Sequence, residues 1–108
     1  MSRPPIDFNG LDTGVHGPAR LGVLTALQMN GPMDFTSLKK LLALPDGTLG
    51  QHLEKLEALG YVGATTVLKG RRPRTTYKLT SAGRKAFADY LNSMRRLLDA
   101  VDSRRGNS

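Results

Sequence analysis

The stretch from Asp46 to Arg74 constrains this chain most. Leu49, Leu53 and Leu56 recur at i, i+4 and i+7, and a glycine, Gly60, follows the last apolar turn. That is a helix with marked ends. Asp46 is the expected N-cap, Gly60 the expected C′ residue, and Tyr61 can reach back to Leu56 in a Schellman ending. Alternation then replaces the helical period. Val62, Ala64, Thr66 and Leu68 form one series and Thr75, Tyr77 and Leu79 another, as in two strands with one buried face. Lys69 to Arg74 is the expected loop between them, with Gly70 permitting the turn and Pro73 stiffening its exit. The rest of the chain reads as a frame that holds this helix and hairpin rigid.

Three further helices are legible. The first starts at Gly17-Pro18, where a proline fits the first helical position. Its Leu21, Val23, Leu24, Ala26, Leu27 and Met29 predict burial over most of its surface, and Asn30-Gly31-Pro32 stops it. Met33-Asp34-Phe35 has room only for an extended link or a one-bridge strand. The second helix is expected to be capped by Thr36, with Leu38, Leu41 and Leu42 inward, and to end at Leu44-Pro45. The short turn that follows fits a helix-turn-helix. The last helix starts at Thr80, a good N-cap. Ala82, Ala86, Phe87, Tyr90, Leu91, Met94, Leu97, Leu98 and Val101 then trace a stripe of about five turns. Such a stripe outruns a small core, so Tyr90, Leu91, Met94, Leu97, Leu98 and Val101 are expected to form a dimer seam. The fold class is thus mainly α with a small β-hairpin, α+β. The division is an N-terminal arm over 1–15, a globular unit over 16–80, a dimerisation helix over 81–102 and a disordered tail over 103–108. In the arm, Ile6, Phe8 and Leu11 are candidates to tuck onto the domain or a partner, and Met1 to Pro5 are expected to be disordered.

Charge narrows the function. The 108 residues carry a net charge of +7, from 16 bases and 9 acids. Seven bases (Lys69, Arg71, Arg72, Arg74, Lys78, Arg84, Lys85) fall between Lys69 and Lys85 without one acid, and the other nine match the nine acids. The whole excess lies on one short stretch, a directed field suited to a polyanion. With no cysteine there is no disulfide framework and no thiolate metal site. Met-Ser-Arg-Pro-Pro is not followed by an apolar run, so neither a signal peptide nor a membrane partner is expected and the location is expected to be cytoplasmic. No phosphate-binding glycine loop occurs, since Gly70-Arg-Arg lacks the Gly-Lys-Ser/Thr ending. The two histidines stand apart without carboxylates, and no nucleophile triad is indicated, so enzyme readings fail and no cofactor is implied. His16, beside Gly-Pro, reads as a local cap or packing residue.

The outward face of the Asp46 helix carries Thr48, Gln51, His52 and Lys55. At about 1.5 Å per residue the helix is roughly 20 Å long, enough to lie in a DNA major groove some 12 Å wide. Gln51 can pair bidentately with an adenine edge, and His52 can donate to a purine N7 or a phosphate. Gly50 either permits close backbone approach to DNA or is a tolerated small residue. Arginines suit a narrow minor groove. Lys39 and Lys40 on the second helix, and Lys55, fit phosphate better than bases.

Four stretches together resemble the winged helix-turn-helix transcriptional regulators of the MarR/ArsR type, most of all the small stand-alone ones. They are His16-Gly-Pro-Ala-Arg-Leu-Gly-Val-Leu24, Asp34-Phe-Thr-Ser-Leu-Lys-Lys-Leu-Leu42, Asp46-Gly-Thr-Leu-Gly-Gln-His-Leu-Glu-Lys-Leu-Glu-Ala-Leu-Gly-Tyr-Val62 and Gly70-Arg-Arg-Pro-Arg-Thr-Thr-Tyr-Lys-Leu-Thr-Ser-Ala-Gly83. The resemblance implies a homodimer on double-stranded DNA, a repressor on a pseudo-palindromic operator. It implies base reading by Thr48, Gln51 and His52, with Lys55 beside them, and wing contacts from Lys69, Arg71, Arg72 and Arg74. Thr36, Lys39 and Lys40 would touch the DNA backbone. The chain lacks the cysteine clusters of metal-sensing relatives and is shorter than those that enclose a ligand, so an effector is not indicated. The rival readings are a winged-helix protein-interaction module and a non-specific nucleic-acid binder.

Overall fold

A computed structural model describes residues 11–106. Ile6, Phe8 and the segment Met1 to Pro5 lie outside the described residues. The order is α1 (Pro18–Asn30), β1 (Met33–Asp34), α2 (Phe35–Leu42), α3 (Asp46–Ala58), β2 (Val62–Lys69), β3 (Arg72–Leu79) and α4 (Ser81–Gly106). The three strands form one antiparallel sheet in the order β1-β3-β2. Met33 pairs with Tyr77 and Val62 with Leu79. Residue 33 is thus joined to the sheet before the chain enters α2.

The core sits where α1, α2, α3, the inner end of the hairpin and the first half of α4 meet. Val15, Val23, Leu24, Leu38, Leu49 and Leu56 are fully buried, as is Leu53 at 1 % exposure. Each such side chain contributes about 1.5–3 kcal/mol when removed from water. Leu11 packs on the edge of this cluster.

Helix ends explain much of the geometry. Gly60 has φ 79, and the N–H groups of Gly60 and Tyr61 donate to the carbonyls of Glu57 and Leu56, both at 2.9 Å. This is the expected Schellman ending of α3. Thr80 caps α4 through its Oγ1, which accepts from the Gly83 N–H at 2.9 Å. Two caps differ from expectation. Asp34, not Thr36, caps α2: its Oδ1 accepts from the Ser37 N–H at 2.7 Å. The chain leaves the sheet at residue 34, so the first free N–H groups lie over that side chain. Pro45 holds the N-cap position of α3 without a side-chain bond, and Asp46 is the first helical residue. There its charge still favours the helix dipole.

Other differences concern burial. Leu41 is 57 % exposed and Met29 77 %; α2 has only 8 residues, and Leu38 already fills its inward position. The hairpin loop is shorter than the six residues from Lys69 to Arg74. Lys69 pairs with Arg72, leaving Gly70 and Arg71 as the turn. Gly70 has φ 66 and Arg71 is not among the residues of positive φ, the pattern of a II′ turn. Only Val62 of β2 is buried, and Leu68 is 74 % exposed. The outer hairpin projects beyond the core instead of presenting a face to it. Helix α4 continues through Gly106, past the expected end at residue 102.

Candidate nucleic-acid interface

Helix α3 has one face locked into the core and one free. Leu49, Leu53 and Leu56 are at most 1 % exposed. At roughly 100° per residue, Thr48, His52 and Lys55 form a line on the flank of the helix, and Gln51 points nearly opposite the core. Thr48, Gln51 and Lys55 are exposed, whereas His52 is half-buried. A Cβ built on Gly50 meets nothing within 4 Å. Room for a side chain therefore exists there, and no packing demand accounts for the glycine.

The wing gathers charge through its register. Residues paired across β2 and β3 share a face. Lys69 opposes Arg72, Val67 opposes Arg74, and Gly63 opposes Lys78. Lys69, Arg72, Arg74 and Lys78 therefore lie on one face of the hairpin, away from the face of Val62, Tyr77 and Leu79. Asp34 opposes Thr76 and so belongs to the cationic face. It is the one acid among the strand residues described. Its Oδ2 lies 3.8 Å from the Arg74 Nε. The Ser37 hydrogen bonds hold the Asp34 carboxyl below its ordinary value of 3.8; burial opposes them, and Arg74 and Lys40 add smaller contributions in the lowering direction. Between the wing and the start of α2 lies an open cleft of about 550 Å³, lined by Asp34, Thr36, Ser37, Lys69, Arg72 and Arg74 among others. Thr36 and Lys40 are exposed.

Two of the residues expected to meet phosphate have partners within the protein. Arg74 faces Asp34, and the Lys39 Nζ lies 2.7 Å from Asp46 Oδ1. Both pairs are exposed enough that water screens them, and surface pairs of this kind are worth about 1 kcal/mol or less. They can be exchanged for phosphate at small cost. Lys69, Arg71 and Arg72 are exposed.

Sequence reasoning missed a set of long-range contacts made by the segment before α1 and by the first turn of α1. The Tyr61 hydroxyl donates to Asp12 Oδ2 at 2.6 Å. That bond, with burial, raises the tyrosine's ionisation above 10.0. His16 Nδ1 and the Tyr90 hydroxyl are 2.7 Å apart, so His16 is a packing residue across 74 positions of sequence. Arg20 donates from Nε to His52 Nδ1 at 3.3 Å. None of these pairs follows a helical or strand period, and only the presence of isolated polar residues near apolar runs hinted at them.

Helix α4 divides into two halves. Phe87, Tyr90 and Ser93 are at most 5 % exposed. Tyr90 is thus part of its own protomer's core and offers a partner no surface, contrary to its expected place in a seam. Farther on, Leu98 and Val101 are 57 % and 53 % exposed, and Leu91, Met94 and Leu97 are half-buried.

A helix-turn-helix whose second helix presents a polar face, flanked by a cationic hairpin, defines the winged helix class. The residues from 19 to 98 match the family model for the winged helix DNA-binding domain. The chain is 39 % identical over 84 residues to the uncharacterised protein MJ0432 of Methanocaldococcus jannaschii, covering 77 % of this chain and 90 % of that protein. The chain belongs to the winged helix DNA-binding family and is of its transcriptional-regulator type. Among solved structures it is similar to a transcriptional regulator homologue from Pyrococcus horikoshii. The identity is 28 %, the TM-score 0.80, and the coverage 87 % of this chain and 94 % of that one. YusO of Bacillus subtilis shares the fold at 20 % identity and a TM-score of 0.76, with coverage of 88 % and 67 %. Among the described residues no helix is long and apolar enough to cross a membrane.

Proposed function

We propose that this protein is a homodimeric repressor that reads a pseudo-palindromic operator in duplex DNA, acting in the cytoplasm by occluding a promoter. The observation that carries the reading is one of placement. The exposed face of α3, with Thr48, Gln51, His52 and Lys55, stands in the same unit as a hairpin face bearing Lys69, Arg72, Arg74 and Lys78. The helix would enter the major groove, and the wing would follow the backbone or adjacent minor groove. Phosphate contacts would come from Thr36, Lys39 and Lys40 and from the wing. The apolar positions Leu91, Met94, Leu97, Leu98 and Val101 of α4 would pair two copies. With 26 residues that helix is about 39 Å long, more than the core can cover. Two copies would place their α3 helices one turn of DNA apart, about 34 Å.

Selection of bound duplexes from a random pool tests the reading directly. It should enrich a sequence with two inverted half-sites. A pool that stays random, with binding that ignores salt, would refute it; strong salt-dependent binding without enrichment would leave only a non-specific binder. Light scattering of Leu98→Glu/Val101→Glu tests the seam. Both side chains are exposed in the protomer, so the variant should fold and run as a monomer. An unchanged particle mass would remove α4 from the dimer.

A further inference from the structure

Arg20 lies on α1, outside the helix-turn-helix, yet it touches the proposed reading face. Its guanidinium is held from behind by two carbonyls: Nη1 donates to the Thr13 oxygen at 3.3 Å and to the Gly14 oxygen at 3.4 Å. Its Nε donates to His52 Nδ1 at 3.3 Å. A guanidinium has only donors, so Nδ1 must present its lone pair. An imidazole that accepts at Nδ1 is neutral and carries its hydrogen on Nε2. Among the described residues no hydrogen bond engages Nε2.

We propose that Arg20 is a positioning residue that fixes His52 as an Nε2–H donor, so that His52 seeks an acceptor on the base edge beneath it, a purine N7, and refuses the amine of cytosine. This rests on the reading of α3 as the base-reading helix. A free imidazole exchanges its hydrogen between the two nitrogens and can meet a donor or an acceptor. With Nδ1 taken by Arg20, His52 meets only acceptors. The exocyclic amine of cytosine, a donor, is excluded, and the N7 acceptor of guanine or adenine is admitted, as is the O4 acceptor of thymine, so the discrimination is against cytosine. Selectivity then comes partly from what the fixed ring refuses. The segment from Asp12 to His16 is in turn bonded to Tyr61 and to Tyr90. The platform under Arg20 is therefore anchored to both the end of α3 and to α4.

Two measurements decide it. The first needs no DNA. Nitrogen-15 spectra of the imidazoles, taken in the wild-type protein at a pH where they are neutral, should show His52 as the Nε2–H tautomer. Arg20→Met should move it to a mixture. A mixed or Nδ1–H ring in the wild type would overturn the role of Arg20 whatever the protein binds. The second replaces each purine of the selected duplex in turn by its 7-deaza analogue. Wild type should lose about tenfold in affinity at one position of each half-site, the loss of one hydrogen bond. His52→Ala should lose nothing further there, and Arg20→Met should lose distinctly less than wild type. An undiminished tenfold loss in Arg20→Met refutes the positioning. If Arg20→Met does not fold, the wild-type spectrum and the His52→Ala comparison still decide. A pool that enriches no sequence removes the base-reading premise and the inference with it, a failure distinct from a wrong tautomer in a protein that does select.

Discussion

Helix α3 and the wing are neighbours in sequence and opposites in construction. The helix is seated by three leucines that are almost fully buried, and its end is fastened by the Gly60 turn. The outer wing has no such seat, with Val67 48 % and Leu68 74 % exposed. Charge runs the other way. Asp46, Glu54 and Glu57 outnumber Lys55 on α3, whereas the hairpin holds five bases (Lys69, Arg71, Arg72, Arg74, Lys78) and no acid. Under the proposed function, the difference follows from what each task tolerates. A hydrogen bond to a base edge is lost within fractions of an ångström, so a reading helix must be rigid. Attraction to phosphate acts over a Debye length of about 8 Å in physiological salt, so a cationic arm can be loosely held.

The largest effect should come from the joint that both regions share. Gly83 of α4 packs against Tyr61, at the turn that ends α3: a Cβ there would stand 2.0 Å from the Tyr61 carbonyl oxygen and 2.8 Å from its carbon. Backbone cannot swing aside, so Gly83→Ala should cost about 3 kcal/mol or more, at the upper end of overpacking. Urea unfolding measures it. A midpoint near wild type would mean that the seat of α3 is softer than its burial implies.

Neutralising the wing should come next. Lys69→Gln/Arg71→Gln/Arg72→Gln removes three cations from the region that lacks tertiary support, so stability should hold. For each protomer bound, affinity should fall on the order of a hundredfold in ~0.15 M salt, with the salt slope shallower by about 2.7. The preferred sequence should not change. A changed preference would give the wing a share in reading and break the contrast.

Gln51→Ala sharpens the other side. It should cost about 1–3 kcal/mol at the selected site, almost nothing on random duplex, and leave the salt slope alone. Parallel losses on both duplexes would make Gln51 a positioning contact.

How far the chain could be read without its structure follows the same division. Elements whose ends are set by neighbouring residues were legible: the Pro18 start of α1, the Gly60 end of α3, the Thr80 cap and the alternation of β3. Features set by residues distant in sequence were not. Thr36 looked like a cap because nothing local revealed that Met33 pairs with Tyr77 and makes Asp34 the last sheet residue. Leu41 looked buried because α2 carries more apolar residues than eight positions can hide. The face of α3 was visible, since its period is local. Arg20 was not, because it reaches His52 across 32 positions. Tyr90 belonged to an apolar stripe, and only the folded chain, through its burial and its contact with His16, shows which half of α4 the protomer uses itself.

The smallest predicted effect lies at Asp34, where rigid unit and wing touch. Its carboxylate does two things, capping α2 through Ser37 and facing Arg74. Asp34→Ala should lose about 1 kcal/mol with the cap. Because the folded-state ionisation is lowered, that contribution is present above the ordinary value of 3.8 and disappears as pH falls through the folded one. Wild type and Asp34→Ala should therefore converge in stability in acid and differ at neutral pH. Asp34→Asn separates the two roles, since asparagine caps as well as aspartate. It should keep its stability within a few tenths of a kcal/mol, yet bind all duplexes up to about fivefold more tightly for each protomer bound, with a salt slope steeper by about one per protomer, because the one acid on the cationic face is gone. If its affinity equals wild type, freeing Arg74 adds no phosphate contact, and the DNA-contacting arm ends at Arg72.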